Sequence, residues 1–113
     1  MAQIIWMEPA LSDLDRIAEY IALDNPDAAE RLVQRVFDHV GQLEAHPESG
    51  SYPLELNDSR YRQIIEPPCR VFYRYNGEEI HIHFVMRHEQ KLKKAPVRKR
   101  EKLIADILRK RDK

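Results

Sequence analysis

The sequence predicts a single α+β domain, in which an N-terminal strand and an antiparallel two-helix hairpin pack on an antiparallel β-sheet, with a basic C-terminal helix or tail. Three observations predict this fold. Apolar residues recur every three or four positions between residues 10 and 43, as on one face of a helix. Residues 69–87 instead alternate between apolar and polar side chains, and Asn76-Gly77 marks a hairpin turn within them. With 113 residues, 42% of them hydrophobic, the chain has room for one core.

The chain opens with a strand over residues 2–7, which is rich in β-branched and aromatic side chains and must pair with a later strand. Pro9 favours the start of a helix, because its fixed φ suits the first helical turn. The apolar stripe of this first helix consists of Ala10, Leu14, Ile17, Ala18 and Ile21.

A second helix is predicted between Asn25, which can cap its first turn, and Pro47, before which it must end. Its apolar stripe consists of Ala29, Leu32, Val33, Val36, Phe37, Val40 and Leu43. Because the connection between the two helices is short, they must lie antiparallel and need a sheet to cover their apolar faces.

Three strands follow an ordered surface loop over residues 47–59: one over residues 61–66, and two on either side of Asn76-Gly77. A two-residue type I′ turn would place Tyr75 opposite Glu78 and Arg74 opposite Glu79. One sheet face is then apolar and reads as core: Cys69, Val71, Tyr73, Ile80, Ile82, Phe84 and Met86. The other face reads as half exposed: Arg70, Phe72, Arg74, Glu79, His81, His83, Val85 and Arg87.

The charge of the chain is balanced in total but divided along its length. Residues 1–86 hold 7 Lys+Arg against 15 Asp+Glu, a net charge of −8, whereas residues 87–113 hold 12 against 4, a net charge of +8. Such polarity indicates that the C-terminal part meets an anionic partner, either nucleic acid or an acidic protein segment.

The sequence also excludes several classes of protein. The single cysteine, Cys69, leaves no intrachain disulfide, and no apolar run approaches the roughly 20 residues that cross a bilayer. The N-terminus lacks the pattern of a signal peptide. We therefore expect a cytosolic protein without a membrane partner.

The residues divide into a domain over residues 1–94 and a basic helix or tail over residues 95–113. In the latter, Leu103, Ile104, Ile107 and Leu108 form a small apolar stripe after Pro96. The basic segment at residues 98–102 is open to three interpretations: an electrostatic contact with nucleic acid, a docking site for an acidic protein, or the solvated side of a terminal helix.

The order of strand, helical hairpin, proline- and glycine-containing loop and three-stranded meander resembles the ParE/RelE superfamily of bacterial type II toxins. The resemblance covers about residues 2–94 and is carried by IIWMEPALSDLDRIAEYIA, NPDAA, HPESG and YRQIIEPPCRVFYRYNGEEIHIHFVMRH. The two long helices and the run YRQIIEPPCRVFY look most like the ParE branch. Ser51 follows the loop glycine, Gly50, where many members of the superfamily have arginine.

The resemblance implies a toxin that forms a hetero-oligomer with a cognate antitoxin encoded beside it. For ParE members it implies a block on DNA gyrase without catalysis, leading to growth arrest and plasmid stabilisation. The alternative is a RelE-like endonuclease that cuts ribosome-bound mRNA. A third possibility is a degenerate member that binds its antitoxin and harms nothing.

Candidate site residues follow from these alternatives. The RelE-like alternative needs a base, a phosphate-binding cation and an acid. The resemblance offers Arg70, Arg87 and His88 for these roles, and the strand pattern adds His83 as an alternative to His88. The predicted strand pattern puts Arg70, His83 and Arg87 on one sheet face, as a small cationic cluster, while His88 points to the other face. Under the ParE-like alternative no residue is catalytic, and the target-binding candidates are Arg62, Arg70, Arg87 and Lys91. The antitoxin-binding candidates are Leu14, Ile17 and Ile21.

We expect no cofactor and no metal site. His81 and His83 share one strand face, but the sequence offers no third ligand at a suitable spacing.

Overall fold

The computed structural model describes residues 1–111, so residues 112 and 113 of the predicted C-terminal segment lie outside the described residues. The elements are β1 (Gln3–Trp6), α1 (Glu8–Ala22), α2 (Pro26–Gly41), a short 3₁₀ turn (Gln42–Glu44), β2 (Arg62–Glu66), β3 (Cys69–Tyr75), β4 (Glu79–Arg87) and α3 (Lys94–Arg111). The strands form one sheet in the order β1-β4-β3-β2, in which only the β1–β4 pair is parallel. The predicted α+β class, with its helical hairpin and C-terminal helix, is confirmed.

The helical hairpin begins and turns as its capping residues predict. The Asn25 side-chain oxygen accepts a hydrogen bond from the Ala28 amide at 3.1 Å, and Pro26 is the first residue of α2. The apolar faces of α1 and α2 pack on one face of the sheet, which we call the hairpin face. Its core includes Leu14, Leu32, Val36, Val40, Val71, Tyr73, Ile80 and Ile82, all buried.

The turn between β3 and β4 differs from the type I′ turn that the sequence predicts. Tyr75 pairs with Ile80 rather than Glu78, and Gly77 alone has a positive φ, of 98°. The Asn76 side chain instead accepts hydrogen bonds from the amides of Glu78 and Glu79 at 2.9 and 2.7 Å. The predicted register was therefore wrong. The Asn76 side chain accepts hydrogen bonds from these loop amides, which stabilises a loop longer than two residues. The shift is of two residues, so it leaves each side chain of β3 on its predicted face.

A β-bulge in β4 then exchanges the two faces of that strand. Tyr73 pairs with Ile82, but Phe72 pairs with Phe84, so His83 is the extra residue. From this point the predicted faces of β4 are wrong. Val85 packs in the core of the hairpin face, while Phe84 joins the opposite face.

Backbone groups at the bulge are satisfied by two charged side chains from outside the sheet. The Asp13 carboxylate of α1 accepts a hydrogen bond from the Val85 amide at 3.1 Å, and Arg100 of α3 donates to the His83 carbonyl at 2.9 Å. The same two side chains form a double hydrogen bond with each other, at 2.8 and 3.1 Å. Asp13 and Arg100 therefore join α1, the bulge and α3 in one network.

The second face of the sheet, which we call the α3 face, is a core and not the half-exposed surface that the alternation predicts. Phe72 and Phe84 stack there with ring centroids 4.6 Å apart. The prediction was wrong because this face receives apolar residues from the loops and from α3: Leu56, Tyr61, Leu92 and Val97. Ile104 of α3 is also buried, whereas Leu103, from the predicted stripe, is 47% exposed.

Gly50 allows the loop after α2 to pack closely against the sheet. The Gly50 amide donates to the Tyr73 hydroxyl at 3.0 Å, and Tyr73 donates in turn to the Pro47 carbonyl at 2.9 Å. A Cβ atom on Gly50 would lie 2.6 Å from that hydroxyl and 2.7 Å from the Gln63 carbonyl oxygen. The glycine of this loop is therefore required for packing against the sheet.

We predict that Asp13→Ala lowers the free energy of unfolding by about 3 kcal/mol, because it leaves a buried amide and the Arg100 guanidinium without their partner. Arg16→Ala is the matched control, since Arg16 also pairs with Asp13 but has a side chain that is 68% exposed. We expect the control to cost less than about 1 kcal/mol. Urea unfolding of both variants measures the difference, and equal losses would contradict the proposed role of the network.

We predict that Gly50→Ala lowers the free energy of unfolding by about 2 kcal/mol, because its Cβ would overlap the Tyr73 hydroxyl and a backbone oxygen. Gly41→Ala is the control, because nothing lies within 4 Å of a Cβ atom built at Gly41. At the end of α2 that change should stabilise by up to about 1 kcal/mol. Denaturant unfolding measures both changes. If the free energy of unfolding changed in the same direction in both variants, the packing argument would be refuted.

Candidate functional site

The two arginines expected to form one cationic cluster lie on opposite faces of the sheet. Arg70 pairs with Met86 on the α3 face. Arg87 pairs with Cys69 of the hairpin core and places its guanidinium carbon 5.4 Å from the Tyr20 ring of α1. The prediction that Arg70, His83 and Arg87 share one face was wrong, because the bulge at His83 reverses the orientation of the residues that follow it.

Arg70 is an interior residue whose guanidinium is fully engaged. It is 6% exposed and forms a double hydrogen bond with Glu55 of the loop before β2, at 2.8 and 2.9 Å. It also donates to the Gln63 side chain at 2.8 and 3.1 Å and to the Gln90 carbonyl at 3.3 Å. The hydrogen bond from Arg70 lowers the pKa of Glu55 to about 2. Arg70 therefore holds the loop and the segment after β4 against the sheet.

His83 is buried on the α3 face, at 3% exposure, next to Tyr61. Its Nδ1 lies 3.3 Å from the Tyr61 hydroxyl, and the two rings meet edge to face at 5.3 Å. Burial, together with the neighbouring cations Arg74 and Arg100, lowers the pKa of His83 to about 3. The imidazole is therefore neutral near pH 7 and does not change its charge there.

The candidates at the end of β4 are more accessible. Arg87 has a side chain 39% exposed, and its Nε lies 2.8 Å from a Glu89 carboxylate oxygen. His88 and Lys91 are exposed, and the His88 amide donates to the Pro68 carbonyl at 2.7 Å. These three residues follow the bulge in the chain, and none of them lines the cavity between the sheet and α3.

A cavity of about 490 Å³ lies between part of the sheet and α3. Side chains of both charges line it, among them Arg60, Arg62, Arg74, His81, His83 and Glu101. Glu101 of α3 lies 3.5 Å from Arg74 and 3.7 Å from Arg60, so ion pairs cross the cavity. Arg60 and Arg74, two of the cations in this cavity, are therefore already paired with a carboxylate.

Arg62, a target-binding candidate, organises the loop before β2. Its guanidinium donates to the carbonyls of Glu48 and Gly50, both at 2.9 Å, and to the Tyr52 hydroxyl at 2.9 Å. It also lies 4.5 Å from the centre of the Tyr52 ring, at the distance of a cation–π contact. Tyr52 is 51% exposed, so Arg62 and Tyr52 form a ledge at the protein surface.

The antitoxin-binding candidates on α1 divide between core and surface. Leu14 is 2% exposed and belongs to the hairpin core, whereas Ile17 and Ile21 are partly buried at its edge. Beside them, Tyr20 is 64% exposed and Leu23 is 86% exposed. The tip of the helical hairpin thus carries an exposed apolar patch, which we define as Ile17, Tyr20, Ile21 and Leu23.

Sequence reasoning missed three residues that shape this region: Asp13, Glu55 and Arg100. Asp13 reads as a solvent-facing residue of an amphipathic helix, and its partner Arg100 is 87 residues away in sequence. Glu55 lies in an irregular loop, and no spacing links it to Arg70. The one available signal was the run Phe84-Val85-Met86, where three apolar residues in succession break the alternation.

Within residues 1–111, no three side chains of His, Cys, Asp or Glu come together as they would around a metal ion. Across the same residues, no helix has both the length and the apolar character needed to cross a membrane.

Most of the chain is similar in sequence to known bacterial toxins. The family described as "ParE toxin of type II toxin-antitoxin system, parDE" matches residues 4–92. The chain is 35% identical over 88 residues to "Putative toxin Y4kP" of Sinorhizobium fredii, which covers 78% of this chain and 91% of that protein. It is 32% identical over 93 residues to "Toxin RelE2" of Caulobacter vibrioides, which covers 81% of this chain and 100% of that protein.

A solved structure supports the same relationship. The fold resembles a chain from "Chromosomal ParDE TA system from P. aeruginosa" with a TM-score of 0.65 and 29% identity, over 79% of this chain and 98% of that chain. The resemblance recognised in the sequence is thereby confirmed. The chain belongs to the ParE toxin family of type II toxin-antitoxin systems.

Proposed function

We propose that this toxin acts by binding and blocking DNA gyrase, with no reaction of its own. The observation that carries this proposal is the separation of the residues that an mRNA endonuclease would need. Arg70 and Arg87 lie on opposite sheet faces, and His83 is buried beneath α3. A binding inhibitor requires no such constellation, so the arrangement favours inhibition over cleavage.

The protonation states of the buried groups support the same proposal. General acid–base catalysis needs a group whose pKa is near the working pH. Burial moves the pKa of His83 down to about 3 and raises the pKa of Tyr61 to about 12, so neither changes its charge near pH 7. Arg70 already donates to Glu55, so its guanidinium is not available to a scissile phosphate.

The target-binding residues that we propose are the accessible cations among the predicted ones, and they lie at two separate places. Lys91 is exposed, Arg87 is partly exposed, and Arg62 forms a ledge with Tyr52. Arg70 contributes indirectly, by holding the segment that carries Gln90 and Lys91 against the sheet. Exposed arginine and tyrosine side chains are common anchors of protein interfaces. We place this activity in the cytoplasm, where a bacterial gyrase and its DNA are found.

A toxin of this family has an antitoxin partner, and we propose that the antitoxin covers the apolar patch at the hairpin tip. Ile17 and Ile21 supply its partly buried base, and Tyr20 and Leu23 supply its exposed part. A shallow pocket beside the patch is lined by Asp24, Asn25 and Ala28. Leu14 supports the patch from the core and is not available for direct contact.

We predict that the purified toxin blocks gyrase supercoiling of relaxed plasmid at concentrations on the order of 1 μM, which correspond to a binding free energy of about −8 kcal/mol. His83→Gln should inhibit as well as the unchanged toxin, because the neutral imidazole has no catalytic role in the proposal. Thermal unfolding checks that this variant is folded.

The same preparation added to translating ribosomes distinguishes the two activities. Uncut mRNA together with blocked supercoiling is expected. Unaffected supercoiling with codon-specific mRNA cuts that disappear in His83→Gln would replace the inhibitor with an endonuclease.

We predict that Leu23→Asp weakens binding to the antitoxin encoded beside the toxin by roughly ten- to hundredfold, because a buried leucine contributes about 1.5–3 kcal/mol. Leu54→Asp is the matched control, since Leu54 is 97% exposed but lies in the loop before β2. Calorimetric titration of both variants measures the difference. A larger loss for the Leu54 variant would move the antitoxin site away from the hairpin tip.

A further inference from the structure

The lysines of this chain are confined to its C-terminal end. None occurs before residue 91, and all lie between residues 91 and 113, although arginines occur throughout. The family match ends at residue 92, two residues before α3 begins at Lys94. The cations of α3 therefore belong to a part of the chain that the family match does not cover.

The arginines of α3 are used within the protein. Arg98 pairs with Asp58 at 3.3 Å, Arg100 with Asp13 at 2.8 Å and Arg111 with Glu79 at 3.5 Å. Arg109 pairs with Asp106 one turn away on the same helix. Arginine favours such pairing because its planar donors match a carboxylate. Three of these side chains thus attach α3 to the body of the protein.

The lysines of α3 have the opposite arrangement. All four lysines of α3 are exposed, and among residues 1–111 none of them takes part in an ion pair. Lys94, in the first turn, lies off the side of the helix that Lys99, Lys102 and Lys110 share. At 100° per residue the latter three fall within an arc of about 80°, on the side of the helix opposite the buried Val97 and Ile104. At 1.5 Å per residue they extend over about 16 Å. We call these three residues the lysine face of α3.

We propose that the lysine face of α3 binds the phosphate backbone of double-stranded DNA. Duplex DNA carries one negative charge per about 1.7 Å of its axis, so a 16 Å row of free ammonium groups faces several phosphates at once. Residues 1–86, with a net charge of −8, are repelled by the same polyanion. This charge division directs α3, rather than the rest of the protein, towards the DNA.

The chemistry of the face favours a duplex over other anionic partners. Residues 93–113 contain no aromatic side chain, so the face offers no platform on which single-stranded bases stack. An acidic peptide that orders on binding needs apolar anchors as well as charge, and Leu103 is the one large apolar side chain exposed beside these lysines in the described part of α3. The choice of DNA over RNA rests on the proposed function, because the substrate of gyrase is duplex DNA.

The test measures DNA binding by the purified full-length toxin in the absence of gyrase. Fluorescence anisotropy with a labelled random-sequence duplex should give a dissociation constant on the order of 10 μM near physiological salt, as for a non-specific phosphate contact. The combined variant Lys99→Gln, Lys102→Gln, Lys110→Gln should bind at least about tenfold more weakly at 50 mM salt. Its slope of log affinity against log salt should be smaller by about 2.7, because each phosphate contact contributes about 0.9.

The matched control removes three units of charge from the opposite side of the sheet. Arg31→Glu combined with Gln42→Glu alters two exposed positions at α2 and the turn after it. The dissociation constant of this control should stay within about threefold of that of the unchanged toxin. Its salt slope should not change, because only residues that contact phosphates contribute to the slope. Thermal unfolding should show both variants folded.

Four results would overturn the proposal: no DNA binding at 50 mM salt, equal losses for the lysine variant and the control, tenfold tighter binding to duplex RNA, or binding of poly-glutamate in place of DNA. The last two would assign the face to RNA or to an acidic protein. Since gyrase is absent, failure here leaves the proposed inhibition standing. Failure to block supercoiling would likewise leave a DNA-binding result intact.

Discussion

The hydrogen-bonded pair of Asp13 and Arg100 is the interaction on which the rest of this structure depends. It supplies hydrogen-bond partners to the Val85 amide and the His83 carbonyl, at the bulge in β4. Without those partners, buried backbone groups would remain unsatisfied at a cost of about 1–3 kcal/mol each. The pair also joins α3 to α1, so one contact links the bulge in β4 to both helices.

Two consequences for function follow from the bulge. It sends Arg70 and Arg87 to opposite faces, and it brings Phe84 beside Phe72 to form a second core. With α3 on that core, His83 is buried. The open surfaces include the hairpin tip, the end of β4, the ledge of Arg62 and Tyr52 and the outer side of α3. In our proposal these are the surfaces at which the toxin meets its partners. The lysine face adds an electrostatic contact that the family match does not contain.

The sequence predicts the parts of this fold that local patterns determine. The helices, the cap at Asn25 and the hairpin core through Ile82 follow from spacing and turn chemistry. The bulge does not, because it depends on Asp13 and Arg100, which are far apart in the chain. In the sequence, only the apolar run Phe84-Val85-Met86 indicates that the alternation of faces is interrupted. A single exception of this kind is easily overlooked in an otherwise alternating strand. Likewise, no local rule pairs Arg70 with Glu55, so an interior arginine resembled a functional one.

The most direct test of the central claim is amide hydrogen exchange, measured by NMR, at Val85 and across residues 100–104 of α3. If Asp13 and Arg100 hold the bulge and the helix together, these amides will exchange with opening free energies close to those of β3. Exchange of Val85 and α3 at the rates of an open strand edge and an unpacked helix, while β3 stays protected, would contradict the account.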